Sequence, residues 1–400
     1  MTTRLHTPDP RLRRGLVLAS ERALAPDLAR GAMLLFIALA NAAGYFLASA
    51  PGIEPDPRGA ERIVNLFMVE FVHARAFPLF AIMFGYGLVQ LATRQERAGA
   101  TPAQVRSVLL RRNVWLLAFG VAHGILLYSG DFLGAYGLIG IAFTLLLLQR
   151  SDRVHRFATW YLALAGAYML VLGLIVGIGL AGGYGGSATV STSPFPSAES
   201  DSYAASLVER AAEWPVHTAT LLPMILMVWV GAARHRILEE PARHLRLLAW
   251  TAAGGIAVAV AAGMPMALAS GGFLDAETAG PIRMLYETSG FFGGIGYAAL
   301  FGLLAHALTR QGTSNLAVDA ITALGRRSLT GYLCQSVAWM VLAAPFALNL
   351  AANTASPLLT SLLCAVAVWL ATVAAAYLMW RCVYRGPAEV LLRRLTYGRR

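Results

Sequence analysis

Apolar residues along this chain gather into long runs separated by short polar connections. The runs cover roughly 29–49, 66–92, 112–129, 132–149, 157–181, 216–233, 245–269, 288–308, 328–350 and 357–380. About 20 apolar residues rising ~1.5 Å each span a hydrocarbon core of ~30 Å, so the pattern predicts a polytopic helical membrane bundle of about ten transmembrane helices. The connections alternate between arginine-rich and arginine-poor. With an inner N-terminus, 27 arginines fall on the inner side and only Arg58, Arg62, Arg210 and Arg283 on the outer, while Arg75 lies within a span. Loop cations resist translocation, which predicts that both termini are cytoplasmic.

The pattern divides the chain into a cytoplasmic segment 1–28, a five-helix half 29–181, an extracytoplasmic Gly/Ser/Pro-rich loop 182–215, a second five-helix half 216–380 and a basic tail 381–400. The loop reads as a plain linker or as a lid over an outward cavity. No sequence repeat relates the halves. The first 28 residues are too charged for a signal peptide, so the first helix is expected to be retained.

Composition sharpens this picture. Hydrophobic residues make up 57% and charged residues 13%, with a mean hydropathy of +0.60, which excludes an ordinary soluble domain. The net charge of +11 is dispersed over loop ends and forms no stripe, so it points to topology and anionic lipid, with no nucleic-acid partner. Every one of the 32 basic residues is arginine. That rules out a lysine Schiff base, a P-loop lysine and a Ser–Lys dyad. The three cysteines, Cys334, Cys364 and Cys382, form no CxxC motif, so neither a disulfide nor a metal site is expected, and no motif requires a cofactor.

Charged side chains inside hydrocarbon cost at least ~2.5–3.5 kcal/mol, so those within the spans should face the bundle interior. Glu70, His73 and Arg75 fall in the outer third of the second run, His123 two thirds of the way out along the third, Asp131 in the following turn and Tyr136 one turn later. Similar depth suggests one polar layer. An Asp131–His123 pair is a usable general base, and each histidine also reads as a neutral packing group. Arg75, paired with Glu70 or Asp131, is either a structural ion pair or a binder of substrate oxygen. Asn41, Tyr332, Gln335 and Ser336 read as interhelical hydrogen bonders, with Asn41 and Gln335 retained as substrate-facing candidates. On the inner side, Asp27 and Arg30 share a helix face. Arg111, Arg112, Arg326 and Arg327 set topology or form a collar for an anionic cytosolic donor.

Several motifs resemble those of the YeiB-like, DUF 418 family of bacterial multi-pass inner-membrane proteins. They are DLARGAMLLFIALAN at 27–41, RAFPLFAIMFGYG at 75–87, RRNVWLLAFGVAHGILLYSGDFLGAYGLIG at 111–140, and the pair LGRRSLTGYLCQS at 324–336 and GPAEVLLRRLTYG at 386–398. Phe132 stands where isoleucine is commoner in the family, and Arg75 where lysine is also common. The resemblance implies an inner-membrane helical bundle and no particular reaction. The D-x-x-R-G opening, here Asp27, Arg30 and Gly31, is similar more distantly to transmembrane acyltransferases of the acyltransferase-3 and heparan-glucosaminide acetyltransferase types. That likeness implies transfer of an acyl group from cytosolic acyl-CoA to an envelope or small-molecule acceptor, with His123 in the role of the membrane histidine. A transporter for a small or amphiphilic molecule and a non-catalytic membrane partner or sensor remain open alternatives.

Overall fold

A computed structural model describes residues 23–46, 58–181, 196–232, 237–274, 279–311 and 315–398. Among these, fourteen α-helices form the architecture: α1 Leu24–Phe46, α2 Ala60–Phe71, α3 Ala76–Arg97, α4 Pro102–Leu126, α5 Leu133–Leu146, α6 Asp152–Ala181, α7 Tyr203–Leu221 and α8 Ile225–Gly231. They continue with α9 Leu245–Ser270, α10 Ala279–Gln311, α11 Leu316–Gly325, α12 Ser328–Ala343, α13 Pro357–Arg381 and α14 Pro387–Tyr397. Each of the ten apolar runs is helical over most of its described residues. Seven helical segments are long and apolar enough to cross a bilayer. The other three runs lie on α4, which carries more charge, and on α5 and α12, which are short at 14 and 16 residues.

Helices α1 and α3 sit at the centre. α1 packs against α13, α11, α10 and α12, while α3 packs against α8, α10 and α1. Their apolar faces are mostly buried, and α6 and α13 expose theirs, 11% of the apolar window of each being buried. That distribution suits a lipid solvent, where an outward apolar face is not penalised. α4 and α5 form a tight antiparallel hairpin, and α9 lies along α10.

Two features depart from the apolar pattern. The segment 182–215 is not loop throughout: α7 begins at Tyr203, and residues 182–195 lie outside the described residues. The Ser202 hydroxyl caps α7 by accepting from the Ala205 amide at 3.2 Å, and the Ala/Leu/Glu-rich stretch that follows favours helix. Gly, Ser and Pro upstream of Tyr203 mask that signal. The second apolar run also differs, because it is two helices. It extends over Ala60–Arg97 and breaks at 72–75, where Ala74 adopts φ 58°. Glu70, His73 and Arg75 therefore sit at a break between two helices and not on one continuous helix.

A break inside an apolar segment frees backbone carbonyls that must find donors. Tyr286 donates to the Val69 carbonyl at 2.9 Å and Tyr297 to the Phe71 carbonyl at 2.9 Å. Arg75 donates to the His73 carbonyl at 3.3 Å. The break is thus held by two tyrosines of α10 and by its own arginine. Gly290 on α10 lets the bent backbone approach, since a Cβ there would stand 2.3 Å from the Ala74 carbonyl oxygen. Gly290→Leu is expected to cost about 3 kcal/mol or more through this backbone clash, read as a lowered melting temperature in detergent; an unchanged melting point would show that the break does not depend on that contact.

Candidate functional site

The centre of the polar layer is a three-residue relay. His123 Nδ1 lies 2.8 Å from Asp131 Oδ1, and His123 Nε2 lies 2.7 Å from Ser336 Oγ. All three side chains are buried. The hairpin turn at 127–132 returns the chain so that Asp131, eight residues after His123, meets its ring. Asp131 also accepts from the Leu133 amide at 3.0 Å and the Gly134 amide at 2.7 Å at the start of α5, and from Trp214 Nε1 at 3.4 Å. With both carboxylate oxygens accepting from these donors, the imidazole partner presents Nδ1–H to Oδ1. His123 Nε2 then bears the lone pair, and the Ser336 hydroxyl donates to it. The Trp214 indole fits a slot cut by small residues: a Cβ on Gly124 would stand 1.9 Å from that ring and one on Gly134 2.5 Å.

Tyr332, one turn before Ser336, packs against the His123 ring at a tilt of 40°, with centroids 4.9 Å apart. Tyr332 also lines the inner end of a cavity of about 300 Å³, together with Tyr136, Leu133 and Phe132. The cavity follows α3 from Phe80 to Arg94, a rise of roughly 21 Å. Its other end carries Arg30, Arg94, Arg112 and Arg326 against the carboxylates of Asp27 and Glu389. Asp27 is shared between Arg30, at 3.5 Å, and Arg326, at 3.2 Å. Glu389 on α14 is committed elsewhere: it accepts from the Leu329 and Thr330 amides at 2.8 and 3.0 Å and so caps α12. Burial pushes the phenol of nearby Tyr397 up, while Arg112, Arg393 and Arg94 pull it down. The mouth is therefore cationic in balance, and the interior is walled by aromatic and aliphatic side chains.

Arg75 forms a second polar cluster. It is fully buried, 3.5 Å from Glu70 Oε1, 2.8 Å from the Ala259 carbonyl and 4.8 Å from the Tyr286 ring centre. Glu70 Oε2, His73 Nδ1 and Arg75 Nε have no hydrogen-bond partner. Phe77, two residues after Arg75, packs on Phe132 beside Asp131, with ring centres 4.7 Å apart. The two clusters thus flank the start of α3.

Residues 232–399 match the family described as protein of unknown function (DUF418). The chain is 27% identical to the uncharacterized protein YeiB of Escherichia coli (strain K12), over 94% of this chain and 96% of that protein. It is 24% identical to the uncharacterized protein YxaH of Bacillus subtilis (strain 168), over 95% of each. The chain thus carries a DUF418 region and is similar to YeiB and YxaH over nearly its whole length.

In this chain the structure brings some of the candidate residues together and separates others. His123 and Asp131 pair directly. Arg75 pairs with Glu70 and not with Asp131, so the polar layer is two clusters. Tyr136 lines the cavity and donates to the Phe77 carbonyl at 3.3 Å. Asp27, Arg30, Arg112 and Arg326 surround the cavity mouth, whereas Arg111 turns away, donating to the Thr396 carbonyl at 3.2 Å. Arg327 is likewise spent on the carbonyls of Ala323 and Tyr384. Arg111 and Arg112 are neighbours on α4 and diverge by ~100°, whereas Arg326 and Arg327 form the turn between α11 and α12 and part there. Asn41 is buried on α1 and lies outside the cavity lining.

Sequence reasoning gave Ser336 only a packing role and missed Trp214 and Arg94. The available signal for Ser336 was the polar stripe Tyr332, Gln335, Ser336 at helical spacing on an otherwise apolar helix. Gln335 is fully buried with neither amide atom hydrogen-bonded, an arrangement that costs about 1–3 kcal/mol. Gln335→Met is expected to raise stability by about 1–2 kcal/mol in thermal or denaturant melts. Equal or lower stability would mean that the amide is satisfied in the native membrane.

Proposed function

We propose that this chain is a transmembrane acyltransferase of the bacterial inner membrane, moving an acyl group from acyl-CoA to an envelope or small-molecule acceptor. The observation that carries this reading is the cavity: cationic at one end, apolar along its length, and ending against the tyrosine that packs on the histidine of a Ser–His–Asp relay. An anionic nucleotide head would meet Arg30, Arg94, Arg112 and Arg326, with guanidinium geometry suited to phosphate. The pantetheine arm would follow the apolar wall inward. His123, oriented by Asp131, supplies the general base that acyl transfer needs. The arginine bias supports placing the mouth in the cytoplasm with both termini inside, and supports α4, α5 and α12 joining the seven longer spans as membrane crossings.

The α2–α3 break supplies the observation for a second reading, a permease. Broken helices around buried charge line substrate sites in many transporters, and Glu70, His73 and Arg75 would then form the transport site. Proteoliposome uptake of amphiphiles under a pH gradient, impaired by Arg75→Gln, is the result expected of that reading.

The acyltransferase reading is tested by thermal stabilisation of the purified protein with acetyl-CoA and longer acyl-CoAs. A hundredfold excess of ligand over Kd adds about 2.7 kcal/mol of apparent stability. The shift is expected to persist in Arg111→Ala and to fall in Arg30→Ala and Arg112→Ala. His123→Ala is expected to lower acyl transfer by about 10²–10⁴-fold while keeping the binding shift. Absence of a shift with every thioester would overturn the reading.

A further inference from the structure

We infer that Ser336 is a nucleophile and that transfer passes through an acyl ester on its Oγ. The inference rests on the acyltransferase reading and specifies its chemistry as a double displacement. Three observations carry it. The Ser336 hydroxyl lies 2.7 Å from His123 Nε2, and His123 Nδ1 lies 2.8 Å from Asp131. Asp131 is fixed by two backbone amides and the Trp214 indole, so the imidazole is locked in the tautomer that accepts from serine. The competing acceptor for the same hydroxyl, the Tyr332 carbonyl one turn back, is farther away at 3.3 Å. This is the ordered nucleophile–base–orienter set that activates serine on unrelated folds, recognised by geometry and not by chain order.

A serine used only to join helices would be served as well by its own backbone carbonyl. Here His123, Asp131 and Ser336 are buried behind Tyr332, which separates them from the cavity. Tyr332 lines the cavity and covers His123, so rotation of its ring is the movement that opens Ser336 to a thioester. Gln335, on the same helical turn, carries a buried amide N–H with no partner, the kind of donor an oxyanion calls for.

The steps balance. In the first half, Ser336 Oγ bonds to the thioester carbonyl carbon while its proton moves to His123 Nε2. The C–S bond then breaks, and the thiolate takes that proton and leaves as free CoA thiol. In the second half, an acceptor hydroxyl or amine loses its proton to Nε2 as it attacks the ester carbon. The bond to Oγ breaks, and the proton returns to Ser336.

The full-length protein in detergent would be exposed separately to a fluorophosphonate and to radiolabelled acetyl-CoA without acceptor, quenched in acid and digested. The expected result is an adduct and an acyl ester on the peptide carrying Ser336, approaching one per chain. Both should fall at least tenfold in His123→Ala and vanish in Ser336→Ala. Ser336→Cys, which keeps a nucleophile, should carry the acyl group as a hydroxylamine-sensitive thioester even if the alanine variant folds poorly. Wild-type transfer rates in Ser336→Ala, or acyl label on His123 instead, would overturn the nucleophile and leave the acyltransferase reading standing. Fluorophosphonate labelling of Ser336 with no acetyl-CoA binding would keep the nucleophile and overturn the donor. No label from either reagent, in protein that acyl-CoA still stabilises, would overturn the inference alone.

Discussion

The Asp131 carboxylate is the constraint on which the site depends. It is completely buried, and a buried charge persists only where donors surround it. Those donors come from three helices at once: the His123 ring on α4, the first amides of α5, and the Trp214 indole on α7. One carboxylate therefore closes the α4–α5 turn, caps α5, orients the histidine and draws α7 against the hairpin. The α7 side chains reciprocate by satisfying the end of α4, where Tyr203 and Arg210 donate to the carbonyls of Leu126 and Ile125. Glu213, next to Trp214, holds Ser129 and Ser197 in turn. The segment that follows the Gly/Ser-rich stretch is thus part of the site's framework.

The same rule governs the opposite end of the cavity, with another outcome. There Asp27 and Glu389 are outnumbered by guanidiniums, and Glu389 is occupied in capping α12. A surplus of positive charge remains beside an apolar passage, an arrangement suited to a ligand with an anionic head and an uncharged arm. Since α12 carries both the capped mouth end and, two turns on, Ser336, the cap fixes the height of the relay relative to the mouth.

The α2–α3 break shows what an apolar interior demands of irregular backbone. The carbonyls of Val69 and Phe71 are met by tyrosines of α10, and that of His73 by Arg75 itself. Arg75 occupies space left by small residues, since a Cβ on Gly263 would stand 2.1 Å from its guanidinium. A lysine there could hold the charge but not reach the Ala259 and His73 carbonyls and Glu70 together, because only the guanidinium presents several donors in a fork.

Run length and hydropathy alone determined that the chain is all-helical and built for a membrane, because each element needs only its own residues to be apolar over a bilayer's thickness. The rarity of charge inside those runs was equally legible, and it picked out Glu70, His73, Arg75 and His123, with Asp131 in the adjoining turn. Pairing was not legible. Whether Arg75 meets Glu70 or Asp131, which arginine of a doublet faces the cavity, and that Ser336 closes a relay with a residue 213 positions away depend on helix rotation and neighbour choice. Lipid does not distinguish one apolar face from another, so those rotations are set by close packing of small residues and by the partners that buried polar groups find, which only the tertiary structure decides.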